Sequence, residues 1–282
     1  MKLLRFGDLG SEKPGILDSD GQIRDLSSII QDINPSTIND ETFTMLQKQD
    51  LSGLPVASAD HRIGACVGNV GKMICIGLNY SDHAAETGAT APPEPIIFMK
   101  VNSAICGPND DVRIPKTAEK TDWEVELGFV IGKTAKYVSE DTAMDHVAGY
   151  CVINDVSERE YQIERQGQWV KGKSCDSFGP TGPWLVTPDE AGDPQNLKLW
   201  LEVDGKRYQD GSTNTMVYSV AFLIHYLSQF FTLHPGDVIS TGTPPGVGLG
   251  QKPDPVFLRP GQTIRLGVEG LGIQTQKTIA DQ

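Results

Sequence analysis

The chain reads as a β-rich α+β protein, a β-sandwich or mixed β-roll with a few helices, preceded by a small α+β domain. Three observations carry this reading. Short apolar, β-branched runs recur from Met73 onward, and the 30 glycines and 18 prolines fall mostly between them. Strands and helices do not alternate at βαβ spacing, and no G-x-G-x-x-G follows a strand, which argues against a doubly wound nucleotide fold. The first seventy residues follow another pattern, so the chain divides into residues 1–70 and 71–282.

In the first part, Leu3–Phe6 and Gly15–Leu17 read as short strands. Asp18-Ser-Asp-Gly21, set between Leu17 and Ile23, is a hairpin turn signal. Residues 26–49 carry irregular helical patterns cut by Pro35. In the second part, strands are expected at 73–77, 95–99, 124–132, 146–154, 184–187, 197–203, 237–241 and 263–268. The best helix is 220–231, where Val220, Leu223, Ile224, Leu227 and Phe231 share one face and Ser219 can cap the start. A weaker helix enters after Ser139.

With 38% hydrophobic residues, 282 positions suffice for a substantial core. The net charge of −13 and pI of about 4.8 argue against a nucleic-acid binder, whose affinity rests on Lys and Arg. No segment approaches the length of a membrane span, and Met1–Phe6 leads into no long apolar stretch of the secretory kind. The five cysteines form no C-x-x-C, and Cys75 and Cys151 lie in apolar strand-like runs, which suits a reducing compartment. A cytoplasmic protein without nucleic-acid or membrane partners is expected.

The most informative residues are three carboxylates. Glu124 and Glu126 alternate with Trp123, Val125 and Leu127 in an expected strand, so both point to one face. Asp155 follows the strand that ends near Asn154. Like charges this close repel and resist burial, and a hard divalent cation relieves both costs. On its own, an E-x-E pair also fits a solvated strand face. His83 and Glu86 are three apart and can share a helical turn, where a carboxylate orients an imidazole as a base. A surface pair reads the same way. Glu86–Pro93, rich in small residues and proline, fits a lid or a plain surface loop. Lys171 and Lys173 lie two apart and compete for one pocket position, and Lys100 follows a buried strand.

Five separated segments together resemble the fumarylacetoacetate hydrolase family from about Met73 to the C-terminus. They are Gly77–Glu86, Asp122–Gly128, Asn154–Gln162, Gly172–Pro180 and Gly236–Gly246. The resemblance implies a mixed β-roll, a homodimer (or a tetramer), and a Mg²⁺ or Mn²⁺ site. By position it makes Glu124, Glu126 and Asp155 the metal ligands and His83, Glu86 and Lys173 the catalytic groups. Arg159, Gln162 and Thr243 become the substrate contacts. No departure occurs at these positions, although Cys175 stands where the family often carries Phe. The implied activity is metal-dependent C–C bond hydrolysis of a 2,4-diketo acid to pyruvate and a second acid. The wording of the 79–86 and 169–178 segments is similar to members acting on 2,4-diketo-3-deoxy-L-rhamnonate or fuconate. Oxaloacetate decarboxylation, ureidoglycolate cleavage and keto–enol or cis–trans isomerisation are alternatives on the same site. A non-catalytic metal- or ligand-binding protein is the alternative of another class.

Overall fold

In a computed structural model, which describes residues 1–58, 60–82 and 92–281, the strand Val125–Ile131 lies inside a large mixed sheet and is buried along its whole length. Its alternation sets the architecture. Val125, Leu127, Phe129 and Ile131 enter one core, while Val130 enters another on the opposite face. The neighbouring strand Val147–Asn154 does the same, with Tyr150 and Val152 on the first side and Cys151 and Ile153 on the second. Met73–Gly77 repeats the division through Ile74 and Ile76 against Met73 and Cys75.

From edge to edge the large sheet runs Ile23–Asp25, Lys13–Leu17, Lys2–Phe6, Gly179–Val186, Val147–Asn154, Val125–Ile131, Val238–Ser240, Met73–Gly77 and Ile96–Lys100. Most pairs are antiparallel, but Val238–Ser240 lies parallel to Met73–Gly77, and the short Ile105–Cys106 strand lies parallel to Gly179–Val186. A second sheet runs Lys206–Ser212, Lys198–Val203, Thr263–Val268, Gly272–Ala280 and Val112–Ile114. Leu199, Leu201, Ile264 and Leu266 of this sheet meet the first face of the large one. The helix Val220–Phe230 adds Val220, Leu223, Ile224 and Leu227 to the same core, and Ser219 Oγ accepts from the Phe222 amide as the expected cap.

The first seventy residues extend the large sheet, with Lys2 and Leu3 pairing with Val186 and Leu185. The hairpin turn at 18–21 joins Lys13–Leu17 to Ile23–Asp25 as expected. Leu3, Ile16, Leu26, Ile33, Ile38 and Leu46 cover the second face, packing on Met73, Cys75, Val130, Cys151 and Val238. Cys75 and Cys151 are buried thiols. Among the described residues no helix is long and apolar enough to cross a membrane.

The two longest strands outside the sequence reading escaped it for a physical reason. Gly272–Ala280 points Gln274, Gln276 and Thr278 inward and leaves Ile273 half-exposed, so its polarity pattern is inverted. The inward amides are satisfied. Gln274 Nε2 donates to the carbonyls of Val152 (2.8 Å) and Gly182 (3.0 Å), and Gln276 Oε1 accepts from Asn154 Nδ2 at 3.1 Å. The strand Lys206–Ser212 is rich in charge and glycine and carries little apolar signal. Because the buried carbonyls depend on its amide, Gln274→Leu should lower unfolding stability by about 1–3 kcal/mol despite the gain in hydrophobicity. Urea denaturation checks this, and equal or higher stability would contradict the account.

Candidate metal and substrate site

Glu124 and Glu126 share the parity of Val130, so they emerge on the second face of the sheet, at the strand end that the first seventy residues leave uncovered. Backbone pairing brings Asp155 to them. Asn154 sits opposite Val125, and the Asp155 amide donates to the Glu124 carbonyl at 2.9 Å. The Glu124 amide is held in turn by Asn154 Oδ1 at 3.2 Å. One ligand oxygen from each of Glu124, Glu126 and Asp155 then lies within 4.8 Å of the others, all three residues being buried. That set is hard, anionic and oxygen-only, the donor chemistry of Mg²⁺ or Mn²⁺.

Cations stand around the cluster. Lys173 Nζ lies 2.6 Å from Glu124 Oε2 and 2.7 Å from Asp155 Oδ2. It ends a short helix, Val170–Lys173. Lys171 instead turns outward to the Arg165 carbonyl, which resolves the choice between the two lysines. Gly172 permits this docking, since a Cβ there would sit 2.4 Å from the Glu158 carbonyl oxygen and 2.5 Å from the Gln162 amide. Arg159 Nη2 lies 2.7 Å from both Glu124 Oε1 and Asp122 Oδ2, its Nε donates to Asp122 Oδ2 at 2.8 Å, and Nη1 donates to Gln162 Oε1 at 3.0 Å. Gln162 sits on a π-turn, Glu160–Glu164, a local irregularity often found at functional sites.

The electrostatics divides the two glutamates. Burial pushes the Glu124 carboxyl up, but the Lys173 and Arg159 charges outweigh it and hold the group at about 2. Burial, followed by the Asp155 and Glu124 charges, pushes Glu126 well above its ordinary value. The bonds Glu126 receives come from neutral groups, Ser240 Oγ at 2.5 Å and the Gly242 amide at 2.8 Å. Burial opposes the charge on Lys173, yet Asp155 and Glu124 raise its pKa and keep it an ammonium.

Lys100, buried behind the cluster, is a further cation that the sequence only hinted at. Its Nζ donates to the carbonyls of Val156 (3.0 Å) and Lys173 (2.5 Å). It also lies 2.6 Å from Asp155 Oδ1, a charge contact without hydrogen-bond alignment.

Glu124 and Glu126 open onto a cavity of about 280 Å³ that also presents Arg159, Gln162, Lys173 and Thr243. Phe98, Ile163, Trp169, Val247 and Leu249 form its apolar wall. Phe98 lies under the Lys173 ammonium at 5.0 Å and meets Trp169 edge-on at 5.3 Å. The hydroxyls of the expected anion loop are committed to protein partners. Thr243 Oγ1 donates to the Val125 carbonyl and accepts from Gln209 Nε2, both at 2.8 Å, while Thr241 Oγ1 donates to the Leu127 carbonyl. Cys175 packs against the main core and does not line the cavity. His83 and Glu86, and the 86–91 part of the expected lid, lie outside the described residues.

Residues 72–279 match the fumarylacetoacetate (FAA) hydrolase C-terminal family model. The chain belongs to this family. A Burkholderia lata protein, assigned provisionally as a hydrolase with no substrate in its name, is 64% identical over 278 residues, covering 99% of each chain. Maleylpyruvate hydrolase from Sphingobium sp. SYK-6, solved with manganese(II) and pyruvate, has a TM-score of 0.84 and 28% identity over 100% of both chains. The 2-hydroxyhepta-2,4-diene-1,7-dioate isomerase of Mycobacterium marinum has a TM-score of 0.78 and 33% identity, covering 100% of this chain and 99% of that one. The family thus includes both hydrolase and isomerase neighbours of this chain, and one of them carries a manganese ion.

Replacing Glu126 by Gln keeps an oxygen for Ser240 and Gly242 but removes a charge that burial and two neighbours oppose. The metal-free Glu126→Gln protein should therefore match or exceed the native stability, while Mn²⁺ affinity should fall by roughly tenfold or more. Thermal melts in EDTA and Mn²⁺ titration calorimetry test the two halves separately.

Proposed function

We propose that this chain is a divalent-metal-dependent hydrolase that cleaves a C–C bond of a 2,4-diketo acid, releasing pyruvate and a second acid. The observation that carries this reading is the buried three-carboxylate cluster held against the Lys173 ammonium, two of whose members, Glu124 and Glu126, open onto one small, largely apolar cavity. A divalent cation held by Glu124, Glu126 and Asp155, Mg²⁺ or Mn²⁺, supplies Lewis acidity to a chelating carboxylate and 2-keto oxygen when bound.

The chain's own groups have separable tasks. Lys173 keeps a positive charge beside the position where the pyruvate enolate develops, in a site shielded from water. Arg159 faces Asp122, Glu124 and Gln162, so it meets a substrate carboxylate as a guanidinium already fixed on three sides. Gln162 gives its carbonyl oxygen to Arg159, which turns its NH₂ toward donation. His83, which the family resemblance couples with Glu86 as the water-activating dyad, takes a proton from water as the oxygen adds to the distal carbonyl. The C3–C4 bond then breaks, the electron pair passes into the enolate, and the imidazolium returns its proton to C3.

Among 2,4-diketo acids, the 2,4-diketo-3-deoxy-L-rhamnonate or fuconate type remains the leading substrate. These acids end in a methyl group, which suits the wall of Phe98, Ile163, Trp169, Val247 and Leu249. The structural likeness to an isomerase supports a second reading, a proton shift at the same site without attack by water.

A pyruvate-release assay on acetylpyruvate, 2,4-diketo-3-deoxy-L-rhamnonate and oxaloacetate, each with Mg²⁺, Mn²⁺ or EDTA, decides among these chemistries. Metal-dependent pyruvate from a diketo acid is expected. Pyruvate from oxaloacetate alone would point to a decarboxylase. No pyruvate from any of the three would overturn the hydrolase and send the test to isomerase and ureidoglycolate substrates. His83→Ala should lower kcat for diketo-acid hydrolysis by about 100-fold or more and leave most oxaloacetate decarboxylation intact, since only hydrolysis needs an activated water. Parallel loss of both activities would remove His83 from the role of water base.

A further inference from the structure

Asp122 is fully buried two residues before Glu124 and is not itself among the clustered carboxylates. Its two oxygens do different work. Oδ1 accepts from the Trp123 amide (2.8 Å) and the Gly248 amide (2.6 Å). Oδ2 accepts from Arg159 Nε (2.8 Å) and the Leu249 amide (3.0 Å), and lies 2.7 Å from Arg159 Nη2. The same Nη2 lies 2.7 Å from Glu124 Oε1. A single carboxylate therefore grips two things that border the cavity: the guanidinium that holds Glu124, and the loop that carries Val247 and Leu249.

The loop is shaped to receive this carboxylate. A Cβ at Gly248 would fall 2.7 Å from Asp122 Oδ1 and 2.0 Å from the Val256 carbonyl oxygen, so only glycine brings its amide down onto Asp122. Asp122 is also more than a counter-ion. Without it the Arg159 charge has Glu124 as its remaining close carboxylate, and the guanidinium loses the two-atom hold that fixes its plane.

We propose that Asp122 is a positioning residue for the metal site, acting through Arg159 to orient Glu124 and leave it available to a divalent cation while it anchors the Val247–Leu249 wall. The proposal rests on the metal-dependent reading of the cluster. Groups that hold a metal ligand directly, as Arg159 holds Glu124, typically change affinity by about 10- to 100-fold when replaced, and Asp122 acts through that group.

The experiment is Mn²⁺ titration calorimetry on the full chain. Asp122→Asn keeps an oxygen for the Trp123 and Gly248 amides and alters only the Arg159 and Leu249 side. It should weaken Mn²⁺ binding by about tenfold or more. Arg159→Lys keeps a cation near Glu124 but breaks the two-atom hold. It should weaken binding similarly, and it stands as an independent test should Asp122→Asn not fold. Adding Asp122→Asn to Arg159→Lys should cost little more than either change alone, because both act on one linkage. Native Mn²⁺ affinity in either single variant, or full additivity in the double, overturns the proposal while leaving the metal reading intact. A native chain that binds no Mn²⁺ overturns both.

Discussion

Burial of like charge is the constraint on which the rest of the site depends. Asp122, Glu124, Glu126 and Asp155 are buried together with Lys100, Arg159 and Lys173. Four carboxylates against three cations leave one formal negative charge. Buried ions are tolerated only when paired and hydrogen-bonded. Three of the carboxylates have a cation within 2.7 Å. Glu126 has instead a hydroxyl and an amide, and it carries the upward pKa displacement. The cost of the surplus charge thus falls on the residue facing the other two members of the cluster, where a divalent cation offsets it most directly.

The fold holds this arrangement by strand parity and polar bracing. One side of Val125–Ile131 belongs to the core between the sheets, so the other side has to carry whatever emerges opposite it. The first seventy residues cover the part of that side around Val130 and stop short of Glu126 and Glu124. From the far sheet, Gln209 accepts from the Val125 amide and donates to Thr243, while Gln276 secures Asn154, which in turn holds the Glu124 backbone. These inward amides spend no charge, and they keep the strand ends from shifting when the carboxylates repel. Rigidity of this kind matters for catalysis, because a site preorganised for a developing anion has no reorganisation to undergo during reaction.

Much of this was legible in the sequence because it depended on local periodicity. The E-x-E spacing placed two carboxylates on one face, and the apolar runs gave the principal strands and the 220–230 helix within a residue or two at most ends. Five motifs in order indicated the family. Other features were hidden because no local rule encodes them. The inverted polarity of Gly272–Ala280 reads as a loop until its glutamines find partners on the large sheet. Lys171 and Lys173 are indistinguishable until a helical turn, allowed by Gly172, sends one inward.

By itself, then, the sequence determined which residues share a face and where the principal strands lie, since each follows from a period of two or 3.6 residues, and the family resemblance of its motifs grouped Asp155 with Glu124 and Glu126. Only the tertiary structure decided the charge balance. Lys100 and Asp122 become part of the site through contacts spanning tens of residues, as in Lys100 with Asp155 and Asp122 with Gly248. Whether a buried carboxylate is held at about 2, like Glu124, or pushed upward, like Glu126, depends on which cations the fold brings within 3 Å. Side-chain spacing along the chain carries no record of that distance.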